Sequence, residues 1–130
     1  MKAKEIVQDF YKSDVIIEPN SVKEFLHPEV VLEWHSSQGF LKLNQQDIID
    51  LSTDLSKAYV RSKTKLTHIL VEGDTVCIRY SHYVKTIENP REEMLLGHFM
   101  VIWEIKNDKL YVTTADNNLW MIKYLLEFFL

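Results

Sequence analysis

The chain has 130 residues, 46% hydrophobic and 26% charged, with a formal net charge of −4; that is one domain of ordinary globular composition, large enough for a core without staples. Lysine and arginine are scattered, which argues against nucleic acid as a partner, and the single cysteine, Cys77, excludes an internal disulfide and a multi-cysteine metal site. The opening MKAKEIVQDF carries charges where a signal peptide has an apolar stretch, so a reducing cytoplasm is the expected compartment.

Ile6, Val7, Phe10, Tyr11 and Asp14 recur at helical spacing and predict a first helix from Lys2 to about Ile17, stopped ahead of Pro19. Asn20 or Ser21 then caps a short second helix through His27, with Val22, Phe25 and Leu26 inward and His27 as its C-terminal cap before Pro28. Glu29–His35 alternates, with Val30, Leu32 and Trp34 on one face, and predicts a half-buried strand. Phe40–Leu43 returns as a short strand. Asn44 caps a third helix over Gln45–Tyr59, whose inner stripe is Ile48, Leu51, Leu55 and Ala58.

From Arg61 onward the pattern is sheet. Lys63–Glu72 and Asp74–Ile87 read as a hairpin about Gly73, with Val71 opposite Val76, Ile69 opposite Ile78 and Thr67 opposite Tyr80. In the second of these strands Val76, Ile78, Tyr80, His82 and Val84 share one face, which reads as the lining of a pocket. Residues 88–93 form a loop, Met94–Ile105 a long strand, and Asn107-Asp108 a turn into Leu110–Asp116. Helices first and an antiparallel meander after them make the class α+β.

The opposite sheet face, with Leu66, Leu70, Cys77, Met100 and Ile102, is too apolar for water and predicts a homodimer through the sheet. The tail is apolar almost all round and predicts a helix over about 118–130. It is too short to span a bilayer and is expected to pack on the sheet or on a second subunit. One domain over residues 1–130 is expected, with no membrane partner.

The order of elements, together with HPEVVLEW (His27–Trp34), NQQDIIDL (Asn44–Leu51), EGDTVCIR (Glu72–Arg79) and VIWEIKNDKLYVTTAD (Val101–Asp116), resembles the SnoaL-like branch of the nuclear-transport-factor-2-like superfamily. The resemblance spans almost the whole chain. It implies a cystatin-like cone: a curved, mostly antiparallel sheet closed by three helices from the N-terminal half around an internal pocket. Asn44 stands where such families usually have glycine, a change that asparagine's tolerance of left-handed backbone allows. The superfamily holds isomerases, cyclases, dehydratases, epoxide hydrolases and non-enzymatic binding domains, so the fold does not fix the function. Trp34 and Val101 fall where the ketosteroid isomerases carry their two pocket aspartates, and Phe10 or Tyr11 where they carry a helix-borne tyrosine, which argues against steroid isomerase chemistry.

Within the implied cone, His82 is the sharpest candidate for acid–base chemistry, near the end where the cone is expected to open. Asp116 ends the last strand, where the family often carries an acid; it is expected to orient His82, and either Asp116 or Asn117 points inward, not both. Tyr80, Tyr11 and Tyr59 offer hydroxyls for a ligand oxygen, and Trp34 and Trp103 offer flat apolar walls. The expected ligand is a small, largely apolar organic molecule, with Tyr80, His82 and Asp116 as the catalytic set if a reaction takes place. The alternative is a non-enzymatic dimerisation domain with a filled cavity. His35, His68 and His98 show no metal-ligand spacing, Ser36-Ser37 no nucleophile elbow, and the chain no glycine-rich phosphate loop, so neither a metal nor a cofactor is expected.

Overall fold

The computed structural model describes residues 2–36 and 39–117, the side chains of residues 36 and 115–117 excepted. Its helices are α1 (Lys2–Phe10), α2 (Pro19–Phe25) and α3 (Gln45–Ala58). Its strands are β1 (Leu26–Ser36), β2 (Gly39–Leu43), β3 (Tyr59–Glu72), β4 (Thr75–Thr86), β5 (Met94–Lys106) and β6 (Lys109–Asn117). They form one curved sheet in the order β2-β1-β6-β5-β4-β3. Neighbours are antiparallel except β1 and β6, which run parallel. The expected tail helix at 118–130 lies outside the described residues.

The α+β expectation holds, and the core explains why. Val7 and Phe10 of α1, Val22 of α2, and Ile48 and Leu55 of α3 are buried in one cluster with Val30, Trp34, Val76, Ile78, Tyr80, Val84, Phe99, Val101 and Trp103 of the sheet. Each helix therefore spends its apolar stripe on the same sheet face. Asn44 caps α3 as expected: its Oδ1 accepts from the Asp47 backbone N–H, and Asp47 returns the bond to the Asn44 N–H.

Several boundaries differ from the expectation. The first helix stops at Phe10, not near Ile17, because Asp14 takes a left-handed backbone (φ 69°) and is bound to β3. Its N–H donates to the Ser62 carbonyl, its Oδ1 accepts from the Ser62 N–H, and Arg61 pairs with Oδ2 at 2.7 Å. That clamp outcompetes about two further turns of helix. Pro19 begins α2 instead of fencing it off, a position that suits proline because the first N–H of a helix has no partner anyway. His27 is not a helix cap; it lies in β1, where Nδ1 accepts from the Glu29 N–H. Pro28 sits in the stretch of β1 where the pairing with β6 shifts register, a usual place for proline in a strand.

The β3–β4 hairpin keeps the expected pairs Val71–Val76 and Ile69–Ile78, but Leu66, not Thr67, lies opposite Tyr80. A bulge between Leu66 and His68 absorbs the extra residue. Leu66 is thereby moved from the reverse face, where it was expected, to pack against the core. On the reverse face Leu70 is 70% exposed and Met100 51%, with Ile102 exposed beside them.

Candidate functional site

The buried face of the sheet does not close completely on the helices. A cavity of about 130 Å³ remains. Its walls are Phe10, Tyr11 and Ile16 from α1 and the turn after it, Val22 from α2, and Ile48, Leu51, Ser52 and Leu55 from α3. The sheet adds Leu32 and Trp34 (β1), Tyr80 and His82 (β4), Leu96, Phe99, Val101 and Trp103 (β5) and Thr113 (β6). The lining among the described residues is almost wholly apolar and contains no Asp, Glu, Lys or Arg. The volume is close to that of the engineered apolar cavity of ~150 Å³ known to accept benzene, and below the range of drug-sized sites.

Aromatic packing shapes one side. Tyr80 stacks on Phe99 with ring centres 5.0 Å apart and planes 18° apart, Tyr11 leans on Tyr80 at 4.8 Å, and Phe10 meets Trp103 edge-on at 5.8 Å. The Trp103 Nε1–H donates to the Tyr11 hydroxyl at 2.9 Å, and the Thr64 hydroxyl donates to the Tyr11 carbonyl. Burial pushes both phenols, Tyr11 and Tyr80, well above the ordinary tyrosine range, although the Trp103 bond works the other way on Tyr11. Both stay protonated at any ordinary pH.

His82 is not at an open rim: it is 4% exposed. Its Nε2 shares a 2.7 Å hydrogen bond with the Ser62 hydroxyl. Burial lowers its pKa from 6.5 to about 4, so at neutral pH the imidazole is uncharged. The Ser62 backbone is in turn fixed by the Asp14 clamp, so the turn after α1 sets the position of a cavity-wall histidine through two links.

Two polar atoms in the wall stand out. Trp34 Nε1 and Thr113 Oγ1 are buried and have no hydrogen-bond partner among the described residues. An unmet buried donor costs roughly 1–3 kcal/mol, so two in one wall are a notable expense for a fold that otherwise satisfies its cavity groups. Other polar groups of the wall are engaged: Ser52 Oγ donates to the Ile16 carbonyl, Tyr11 accepts from Trp103, and His82 Nε2 is held by Ser62.

Of the residues singled out in the sequence, Tyr11, Trp34, Tyr80, His82 and Trp103 come together around the cavity. Tyr59 does not: it is buried at the start of β3, paired with Thr86, outside the lining. The side chains of Asp116 and Asn117 lie outside the described residues; their backbones continue β6, level with Met100 and Phe99 of β5. Ser62, Phe99 and Thr113 were not anticipated. Strict alternation from Leu110 points Val112 inward and Thr113 outward, but a register shift at Tyr111 reverses this. Among the described residues no three His, Cys, Asp or Glu side chains are grouped as a metal site needs, and no helix is long and apolar enough to cross a membrane.

No family model and no curated protein matches the sequence, whereas many solved structures share its shape. An epoxide hydrolase of the LEH-like type from M. tuberculosis superposes with a TM-score of 0.70 at 14% identity, over 98% of this chain and 92% of that one. A protein from Jannaschia sp. CCS1, described as a SnoaL-like polyketide cyclase, gives 0.70 at 11% identity over 95% and 90%. TerC, crystallised with polyporic acid, gives 0.68 at 15% identity over 98% and 99%. Identities this low carry shape and not chemistry. The helices laid on one face of the curved sheet, the parallel β1–β6 pair and these superpositions together place the chain in the α+β cone fold of the SnoaL-like, nuclear-transport-factor-2-like proteins.

Proposed function

We propose that the protein binds a small, neutral, largely apolar organic molecule inside the cone. The observation that carries this reading is the cavity itself: about 130 Å³ of space walled by aromatic and aliphatic side chains, with no charged group among the described lining residues. An ion would find no counter-charge there, and a drug-sized molecule would not fit. The ligands of structurally similar proteins, such as polyporic acid in TerC, support small-molecule binding as a use of this fold. The test is calorimetric titration with small neutral ring compounds, paired with the cavity-filling variant Val101→Phe. Binding to the native chain and loss of binding in a still-folded V101F protein are expected. Failure of every such ring to bind the native chain overturns the reading.

A second reading, acid–base catalysis without a cofactor, is favoured by His82 in the cavity wall. Ser62 holds Nε2 and leaves Nδ1 as the ring nitrogen for a substrate proton. Ser62 then orients the ring, the task expected of Asp116, while the Tyr80 or Tyr11 hydroxyl polarises a substrate oxygen. His82→Gln would abolish turnover in this reading and leave binding of an apolar ligand intact.

The exposed Leu70, Met100 and Ile102 face supports a homodimer through the sheet as a further part of the proposal. Sedimentation of the native chain as a monomer at high micromolar concentration would remove it.

A further inference from the structure

Resting on the homodimer proposal above, we infer that the second copy packs on the reverse face with its strands running the opposite way, so that the acidic end of one copy's β3–β4–β5 face meets the basic end of the other's. Charges that are scattered along the sequence are sorted by the fold on this face. Residues level with one another across the ladder point to the same side. Nearest the β3–β4 turn lies an acidic row, Glu72, Thr75 and Glu104. The next row is apolar, Leu70, Cys77 and Ile102, and His68, Arg79 and Met100 follow it. Beyond them come Lys65, Ser81 and His98, then Lys63, Tyr83 and Leu95. Glu72, Glu104, Lys63 and Lys65 are exposed, and none of the four is in an ion pair among the described residues. Lys106, at the acidic end, is held over the Tyr111 ring on the β6 side.

The two ends cannot reach each other within one copy. Glu104 and His98 are separated by about 20 Å of extended strand. A second sheet brings them together. Two sheets packed face to face as a symmetric dimer are related by a two-fold axis lying between them, and the same patch is used on both copies. An axis along the strands sets Glu72 over Glu104 and Lys65 over His98, like on like. An axis across the strands, between the Ile102 and Met100 rows, turns one sheet end for end. It sets Glu72 of one copy over Lys65 of the other, Glu104 over His98 and Ile102 over Met100, each contact twice, within the angle of about 30° at which aligned sheets cross.

Charge chooses between the two. Like charges placed face to face oppose association, whereas opposite ones fix the register of a docked pair. The axis across the strands also puts the exposed Ile102 and Met100 at the centre and the charged rows outside them, which is the layout of a specific interface, an apolar middle within a polar rim.

Sedimentation equilibrium of the full native chain, of Glu72→Lys, of Lys65→Glu and of an equal mixture of the two variants tests the arrangement. Both side chains are exposed, so both variants are expected to fold. Each variant alone sets like charges face to face twice and should dimerise about tenfold more weakly than the native chain, or worse. The mixture should return to near-native affinity, because the new lysine of one variant meets the new glutamate of the other while the native pair is kept on the opposite side of the axis. Variants that dimerise as the native chain does overturn the inference, and so does a mixture no tighter than its components. Tighter dimers of Glu72→Lys overturn it too, since the axis along the strands would set the new lysine over Glu104. In each of these cases the dimer stands and only the arrangement falls. If the native chain is a monomer at high micromolar concentration, the homodimer proposal falls with it and the face is left to another occupant, such as residues 118–130 of the same chain.

Discussion

The two faces of the six-stranded sheet are incomplete in opposite senses. The reverse face settles its polar groups: Ser81 bonds His98 at 2.8 Å, and Thr67 donates to the Arg79 carbonyl while accepting from its guanidinium. What it leaves over is apolar, with Leu70, Met100 and Ile102 open to water. The cavity wall settles its apolar groups and leaves over polar ones, Trp34 Nε1 and Thr113 Oγ1. A surface with spare grease fits a broad partner such as another sheet. A small, largely apolar hollow fits a small partner. One sheet thus leaves unlike groups unmet on its two faces, apolar ones on β3 and β5 and polar ones on β1 and β6.

The largest expected effect comes from breaking the cavity wall. Phe99→Ala removes the ring on which Tyr80 stacks and should cost about 3–5 kcal/mol in urea unfolding, as large-to-small core changes do. Next is pH. His82 titrates near 6.5 when unfolded and about 4 when folded, so below 6.5 the unfolded chain takes up the proton first. The stability tied to its neutral form is complete above about pH 6.5 and is lost as pH falls towards 4, by about 3 kcal/mol in all. Urea midpoints across that window should show the slope in the native chain and lack it in His82→Gln. A smaller loss, ~1–3 kcal/mol, is expected for Tyr11→Phe, which strands the Trp103 N–H in the core; thermal melts would read it. The smallest effect on monomer stability belongs to the other face. Met100→Glu should change unfolding by less than about 0.5 kcal/mol, yet shift sedimentation from dimer to monomer if the reverse face is the interface.

Much of this architecture was legible in the residues. The α3 cap announced itself through Asn44, and the face running from Val76 to Val84 emerged from plain alternation, because local chemistry and tertiary packing agree there. The site was legible only where strands are regular. Tyr80 and His82 could be placed, whereas Thr113 and Leu66 could not, since each lies beside a bulge that reverses which way the following residues face. The early end of α1 was hidden for another reason: the Asp14 clamp joins it to Ser62, and helical spacing carries no trace of so distant a bond.

The parallel β1–β6 pair also bears on how the molecule is made. It joins residues 26–36 to residues 110–117, so its ladder closes a loop through most of the fold and belongs among the slow steps of folding. Trp34 and Thr113 stand on opposite sides of that seam. A nascent chain, or one cut within the β5–β6 turn, would hold the histidine and the stacked phenol but lack the Thr113 side of the wall, so the closed cavity would be among the last features it acquires on leaving the ribosome.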